Sequence, residues 1–350
     1  MLHLCDGHHT RDQVLAELQR RHGRPFGREQ LDQLLAQLDD KLLLDSEKFR
    51  SHSAKIFAEF GRAEVRPAFH AGATYPKAAA ELTALLDRCF GRPHGPGKPA
   101  AATGKLPRAL IVPHIDFLRG GPVYAHGYRA LLESAERPER IVLLGTDHVG
   151  HEQPFTLTRK HFETPLGRVR TDVELVAELH QRAGGDNLFV DEHHHRAEHS
   201  LEHHAVWLRY LYGEAMDQIP VLPVLCGHLT HFIEQLEDPA HSPTVSGFLG
   251  ALATLTAGQR TLFIASADLS HVGLRFGDPR PVDEAERAQI EKKDQAALRP
   301  VAKGDPAALY EEIKKERDRR RVCGLAPICA LPHPANPGRG ELAAYAQCSR

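Results

Sequence analysis

The sequence is poor in the signatures that assign a class at a glance. No apolar run approaches the ~18–20 residues a membrane-spanning helix needs. The opening Met1-Leu-His-Leu-Cys-Asp-Gly-His-His carries neither a basic n-region nor an apolar h-region, so no secretory signal is expected and a cytoplasmic address is. Six cysteines, Cys5, Cys89, Cys226, Cys323, Cys329 and Cys348, include no C-x-x-C pair. That spacing argues against a disulfide framework and against a structural zinc knuckle. A net charge of −2 gives no general pull toward nucleic acid or an anionic membrane. Histidine, by contrast, is plentiful, with 24 residues. A single histidine is most often a surface residue without chemistry, so position along the chain has to decide which ones matter.

Residues 1–58 read as a helical segment. Thr10 is a candidate N-cap for a helix carrying Val14, Leu15 and Leu18 on one face, and Gly23 and Pro25 end it. A second helix carries Leu31, Leu34, Leu35 and Leu38 and runs into the apolar tail Leu42-Leu43-Leu44. Two helices and an apolar tail suit half of a winged-helix module. Basic and acidic side chains balance over this stretch, which points to docking a protein or peptide rather than DNA. The chain begins almost inside the first helix, so the module is expected to be incomplete.

Residues 62–350 are expected to form a second domain, in which the Gly- and Pro-rich stretch Gly91–Lys105 reads as a loop and, from Pro107 onward, short apolar runs alternate with amphipathic stretches. The expected strands are Ala109–Val112, Arg140–Leu144, Phe155–Thr158, Ile219–Leu225 and Thr261–Ser266. The expected helices lie near 121–134, 172–182, 198–211, 244–256, 282–297 and 306–318. This alternation predicts an α/β domain, a mostly parallel sheet flanked by helices.

Four of the strands end alike. They run into Pro113-His114-Ile-Asp116, Gly145-Thr-Asp-His148, Cys226-Gly-His228 and Ala267-Asp268-Leu-Ser-His271. In open α/β sheets ligands bind beyond the carboxyl ends of the strands, so four such deliveries to one edge predict a shared site. Imidazole and carboxylate together suit iron(II), zinc or manganese. His114 and His148 are the expected first pair of ligands, and Asp116, Asp268, Glu198 and Cys323 are candidates for the third. Cys323 precedes a short apolar stretch, where a thiol at a helix N-terminus would have a lowered pKa. A competing pattern, His199-Ser-Leu-Glu202-His203, matches the inverted zinc-peptidase motif, with Glu202 as general base. The adjacent run Glu192-His193-His194-His195 reads as a solvated loop.

Taken in order, the motifs resemble the MEMO-like family, in the branch called AmmeMemoRadiSam system protein B. They are Arg66-Pro-Ala-Phe-His70, Pro113-His114-Ile-Asp-Phe, Gly120-Gly-Pro-Val-Tyr124, Leu144-Gly-Thr-Asp-His148, Thr164-Pro-Leu-Gly167, Glu198-His-Ser-Leu-Glu202, Ser266-Ala-Asp268-Leu-Ser-His271 and Cys323-Gly324. The resemblance implies the fold of the class III extradiol dioxygenases, which hold ferrous iron with two histidines and a glutamate. In the MEMO-like proteins the set becomes two histidines and a cysteine, implying His114, His148 and Cys323 here. Asp268 and His271 are implied as a further pocket pair. The N-terminal segment resembles the end of a PqqD-like peptide-binding module, and family members usually continue with a further strand after the point matching Tyr345, so a shortened chain is expected.

Two function classes follow. One is an iron(II)-dependent oxidoreductase, with zinc or copper as alternative ions, His271 as general acid/base oriented by Asp268, and an oxygen-rich small-molecule substrate. The other is a non-catalytic component whose cleft binds a peptide or partner protein, with the N-terminal segment helping to dock a radical-SAM partner. A zinc hydrolase is a lesser alternative.

Overall fold

The computed structural model describes every residue except 1, 23–25, 151–152, 185–186, 306, 332–337 and 349–350. The chain divides into two compact units, Met1–Arg62 and Ala63–Arg350.

The first unit holds helices α1 (Arg11–His22), α2 (Arg28–Asp40) and α3 (Glu47–Arg62). Leu4, Val14, Leu18 and Leu31 form its small core. Gly23 and Pro25, the expected helix breakers, lie outside the described residues. The apolar tail does not behave as expected. Leu42 turns left-handed at φ 59°, Leu43 is exposed, and the Ser46 hydroxyl accepts the Phe49 amide at 3.2 Å to start a third helix. No strand forms among the described residues of this unit.

The second unit contains strands β1 (Val65–Arg66), β2 (Ala109–Val112), β3 (Arg140–Thr146), β4 (Phe155–Leu157), β5 (His161–Phe162), β6 (Val221–Cys226) and β7 (Thr261–Ser266). Its helices are α4 (Ala79–Cys89), α5 (Phe117–Glu133), α6 (Val173–Arg182), α7 (His199–Tyr212), α8 (Thr230–Gln235), α9 (Pro243–Thr256), α10 (Glu284–Ala302), α11 (Ala307–Lys315) and α12 (Leu325–Ala330). The main sheet has the order β2-β7-β3-β6-β4. All its neighbours are parallel except β4 against β6. All five expected strands form, with ends shifted by at most two residues. The short parallel pair β1 and β5 was not legible in the pattern.

Continuous apolar runs such as Ile141-Val-Leu-Leu144 suit strands buried on both faces. Val142 and Leu144 point into a core with Val176 of α6, Leu252 of α9, Ile313 of α11 and Ile328 of α12. Ile141 and Leu143 point the other way, onto Leu86 of α4, Tyr128 of α5 and Trp207 of α7. Helix starts are set by caps. Asp116 accepts the Arg119 amide at 3.1 Å, which begins α5 four residues before the expected start. Ser242 caps α9 with Pro243 as its first residue. Among the described residues no helix is long and apolar enough to cross a membrane.

Candidate metal centre

Parallel register builds the site. Val112 pairs with Ser266, Leu144 with Ala265 and Thr146 with Cys226, so four strands finish along one edge. His114, Asp268, His148 and His228 each lie two residues beyond the end of their strand. Strand β7 runs between β2 and β3, so His114 and His148 flank its carboxyl end. Helix α7 starts at the same edge. Gly145 makes this approach possible, since a Cβ there would sit 2.6 Å from Leu201 and 2.8 Å from the Ser200 hydroxyl.

Donor nitrogens of His114, His148 and His199 lie within 4.8 Å of one another. The hydrogen bonds behind the rings fix their tautomers. The Ser266 hydroxyl donates its only proton to the Ser200 carbonyl at 2.7 Å, so it can only accept from His114 Nδ1, 3.0 Å away. Glu198 faces His148 Nδ1 at 3.0 Å and His199 Nδ1 at 3.2 Å. A carboxylate only accepts, so both Nδ1 atoms carry the proton. In the neutral form all three rings therefore keep Nε2 as a bare lone pair. A carboxylate or hydroxyl behind a ligating histidine is the arrangement that orients an imidazole for a metal.

Cys323 enters from the other side, with Sγ 3.2 Å from His114 Nε2. Gly324 lets this segment press onto the end of β7, since a Cβ there would meet Ala267 at 2.4 Å. His114 and Cys323 thus adjoin, while the tight trio of donors is completed by His199, which the strand-end reasoning left out. The signal for it was present: His199 follows Glu198 directly at the start of a helix that abuts the strand ends.

The remaining candidates have other duties. Asp268 accepts the His114 amide at 2.9 Å and stands 3.8 Å from His114 Nε2. It does not orient His271, whose Nδ1 lies 2.9 Å from the Leu269 carbonyl and 3.2 Å from the Arg321 carbonyl. Backbone carbonyls take the Nδ1 proton and leave Nε2 bare. Asp116 is committed to capping α5, and His228 belongs to no ligand group among the described residues. His114, His148, His199, Asp268 and His271 all line one cleft of about 1740 Å³.

A family model described as Memo-like protein matches residues 66–350. The chain belongs to the Memo-like family. A MEMO1 family protein of Aquifex aeolicus is 28% identical over 324 residues, covering 93% of this chain and 78% of the relative. MEMO1 family proteins of Methanopyrus kandleri and Desulfurococcus amylolyticus are 30% and 29% identical, each covering 79% of this chain and 89% of the relative.

Electrostatics in this Memo-like site follow from burial and from Glu198. Burial would raise the Glu198 pKa, but hydrogen bonds and charge from His148 and His199 outweigh it and hold the carboxyl well below its ordinary value. Burial would likewise lower His148, yet the Glu198 hydrogen bond and charge bring that ring above its ordinary value. His114 has no carboxylate behind it, and burial together with the neighbouring imidazoles pushes it well down. Both effects favour neutral His114, ready to donate a lone pair. The expected lowering at Cys323 is overturned. The residue precedes a helix of only six residues, and burial followed by the charge of Asp268 pushes the thiol well up.

The inverted zinc-peptidase arrangement does not form. Glu202 is fully buried against Arg66, with Nη1–Oε2 at 2.6 Å. It also accepts the amides of Phe69 and His70 at 3.1 and 2.8 Å and the Tyr75 hydroxyl. His203 is spent on the His114 carbonyl at 2.9 Å and the Thr74 hydroxyl at 3.0 Å. A saturated, ion-paired carboxylate has no lone pair left for a water. The His193–His195 run is likewise not a solvated loop: it forms a 3₁₀ turn, Glu192–Arg196, with His195 buried.

Proposed function

We propose that the chain is a metalloprotein whose centre is held by His114, His148 and Cys323 and takes iron(II), with zinc or copper as competing ions. The observation that supports it is the convergence of His114 and His148, each ring fixed by a partner behind its Nδ1, with the Cys323 Sγ 3.2 Å from His114 Nε2. Imidazole with thiolate suits borderline and soft ions. Bound there, the ion would supply Lewis acidity for an oxygen-rich substrate and a place for dioxygen. The chain's own residues do the rest. Asp268 ties the His114 backbone in place, and Glu198 holds His148. His271 offers Nε2 for exchanging a proton with a substrate in the cleft, a role worth typically about 10²–10⁴-fold in rate.

Anaerobic reconstitution with iron(II), followed by elemental analysis, tests the centre. Wild type should retain one equivalent that His114→Ala and His148→Ala lose; unchanged content in both variants would remove the idea. Cys323→Ser set beside His199→Ala assigns the third donor, because the ligand's loss lowers metal content more.

The cleft favours a second reading. Its volume exceeds the roughly 300–1,000 Å³ of ordinary small-molecule pockets. Residues 338–348 already run along its wall without helix or strand, with the Gly340 amide on the Ala302 carbonyl at 2.8 Å and the Tyr345 hydroxyl on Asp294 at 3.0 Å. On this reading the cleft docks a peptide or partner protein without catalysis. Peptide binding that survives metal removal would favour it.

A further inference from the structure

A second group of donors lies outside the strand-end centre. The carboxylate of Asp191 and the rings of His193 and His194 place ligand atoms within 4.8 Å of one another, each residue half-buried. The local backbone explains the convergence. Asp191 is the N-cap of the 3₁₀ turn Glu192–Arg196, and the His194 amide donates to the Asp191 carbonyl at 2.9 Å. In a 3₁₀ turn, residues i and i+3 eclipse, which brings Asp191 over His194. The two imidazoles lie with ring centroids 4.5 Å apart.

The turn is held from several sides. Glu192 accepts the Thr158 hydroxyl at 2.8 Å, and His195 Nε2 meets the Thr156 carbonyl at 3.0 Å. Arg66 donates to the His195 carbonyl, and to the Glu198 carbonyl at 2.8 Å. Behind His194 stands Asp147, 2% exposed. Its Oδ1 accepts the Val149 and Gly150 amides, and its Oδ2 lies 2.8 Å from His194 Nδ1. The carboxylate accepts, so Nδ1 carries the proton and Nε2 keeps its lone pair. This repeats the device by which Glu198 prepares His148 and His199.

We propose that Asp191, His193 and His194 form a second, peripheral site for a divalent first-row transition ion, zinc by preference. Two imidazoles and one carboxylate match the donor types of zinc and leave a coordination position for water. The site shares no ligand with the strand-end centre. It is nonetheless mechanically close to it, since Asp147 immediately precedes His148 and the turn leads directly into Glu198. An ion there would fix the segment that carries Glu198 to the strand-end histidines.

Cobalt(II) and zinc titration of the full chain tests this, read by visible absorption for cobalt and by competition with a chromophoric chelator for zinc. Wild type should bind one equivalent more than the double variant His193→Ala/His194→Ala. Asp191→Asn, which keeps the size of the side chain, should lose that same equivalent while keeping the circular dichroism of wild type. The double variant His114→Ala/His148→Ala should keep it, so failure of the strand-end centre and failure of this one are read in different arms. Equal stoichiometry in wild type, His193→Ala/His194→Ala and Asp191→Asn would overturn the site, as would an extra equivalent taken up only at millimolar metal.

Discussion

Glu198 and Glu202 stand one helical turn apart at the start of α7, and the chain uses them in opposite ways. Glu202 is closed off: Arg66, two backbone amides and the Tyr75 hydroxyl use up its oxygens with no access to the cleft. Glu198 is nearly as buried, but two of its partners are imidazoles whose far nitrogens open into the cleft. One carboxylate fastens the segment Phe69–Tyr75 to α7, and the other aims ligands. What separates a structural carboxylate from a functional one here is where the partners' remaining valences point, rather than burial or residue type.

The strongest way to break this comparison is at Arg66. Arg66→Ala would leave Glu202 as a buried carboxylate without its cation, at a cost of about 3–5 kcal/mol in a urea unfolding experiment. A loss below about 1 kcal/mol would mean that the pair does not hold this region together. Next in size is Glu198→Gln, which keeps the volume but can accept from the rings through only one oxygen. Affinity of the strand-end centre for metal should fall about 10–100-fold. Chelator competition reads this, with Glu202→Gln as the partner variant; an equal fall in both would erase the distinction between the two carboxylates.

The sequence made the edge of the sheet legible, because strand-ending motifs and parallel strands together force His114, His148 and Asp268 to one place. It could not apportion the polar residues around that edge. The His199-x-x-Glu202-His203 spacing looks like zinc-peptidase chemistry until Arg66, far away in the chain, is seen to claim Glu202. The orienting role of Glu198 was hidden for the same reason: it depends on a helix packing against β3 through the gap at Gly145. Ser266, which decides the His114 tautomer, reads in sequence as an unremarkable strand residue. At the other end of the chain, the apolar Leu42–Leu44 run outweighed the weaker cap signal of Ser46 and concealed α3.

The smallest expected effect comes from another ionisable residue of α7, His204. It is fully buried, with Nδ1 2.5 Å from the Tyr128 hydroxyl. Burial, reinforced by the nearby His114, holds its pKa well below 6.5. In the unfolded chain the same ring titrates near about 6.5. Below that pH the unfolded state binds a proton that the folded state refuses, so stability falls as pH drops, by about 1.4 kcal/mol per pH unit for one such imidazole. His204→Phe removes this proton uptake while approximating the ring. It also strands the Tyr128 hydroxyl, a loss common to both pH values, so the informative quantity is the difference in unfolding free energy between pH 7 and pH 5.5. That difference should shrink by about 1 kcal/mol relative to wild type. An unchanged difference would mean that His204 takes up its proton in the folded protein.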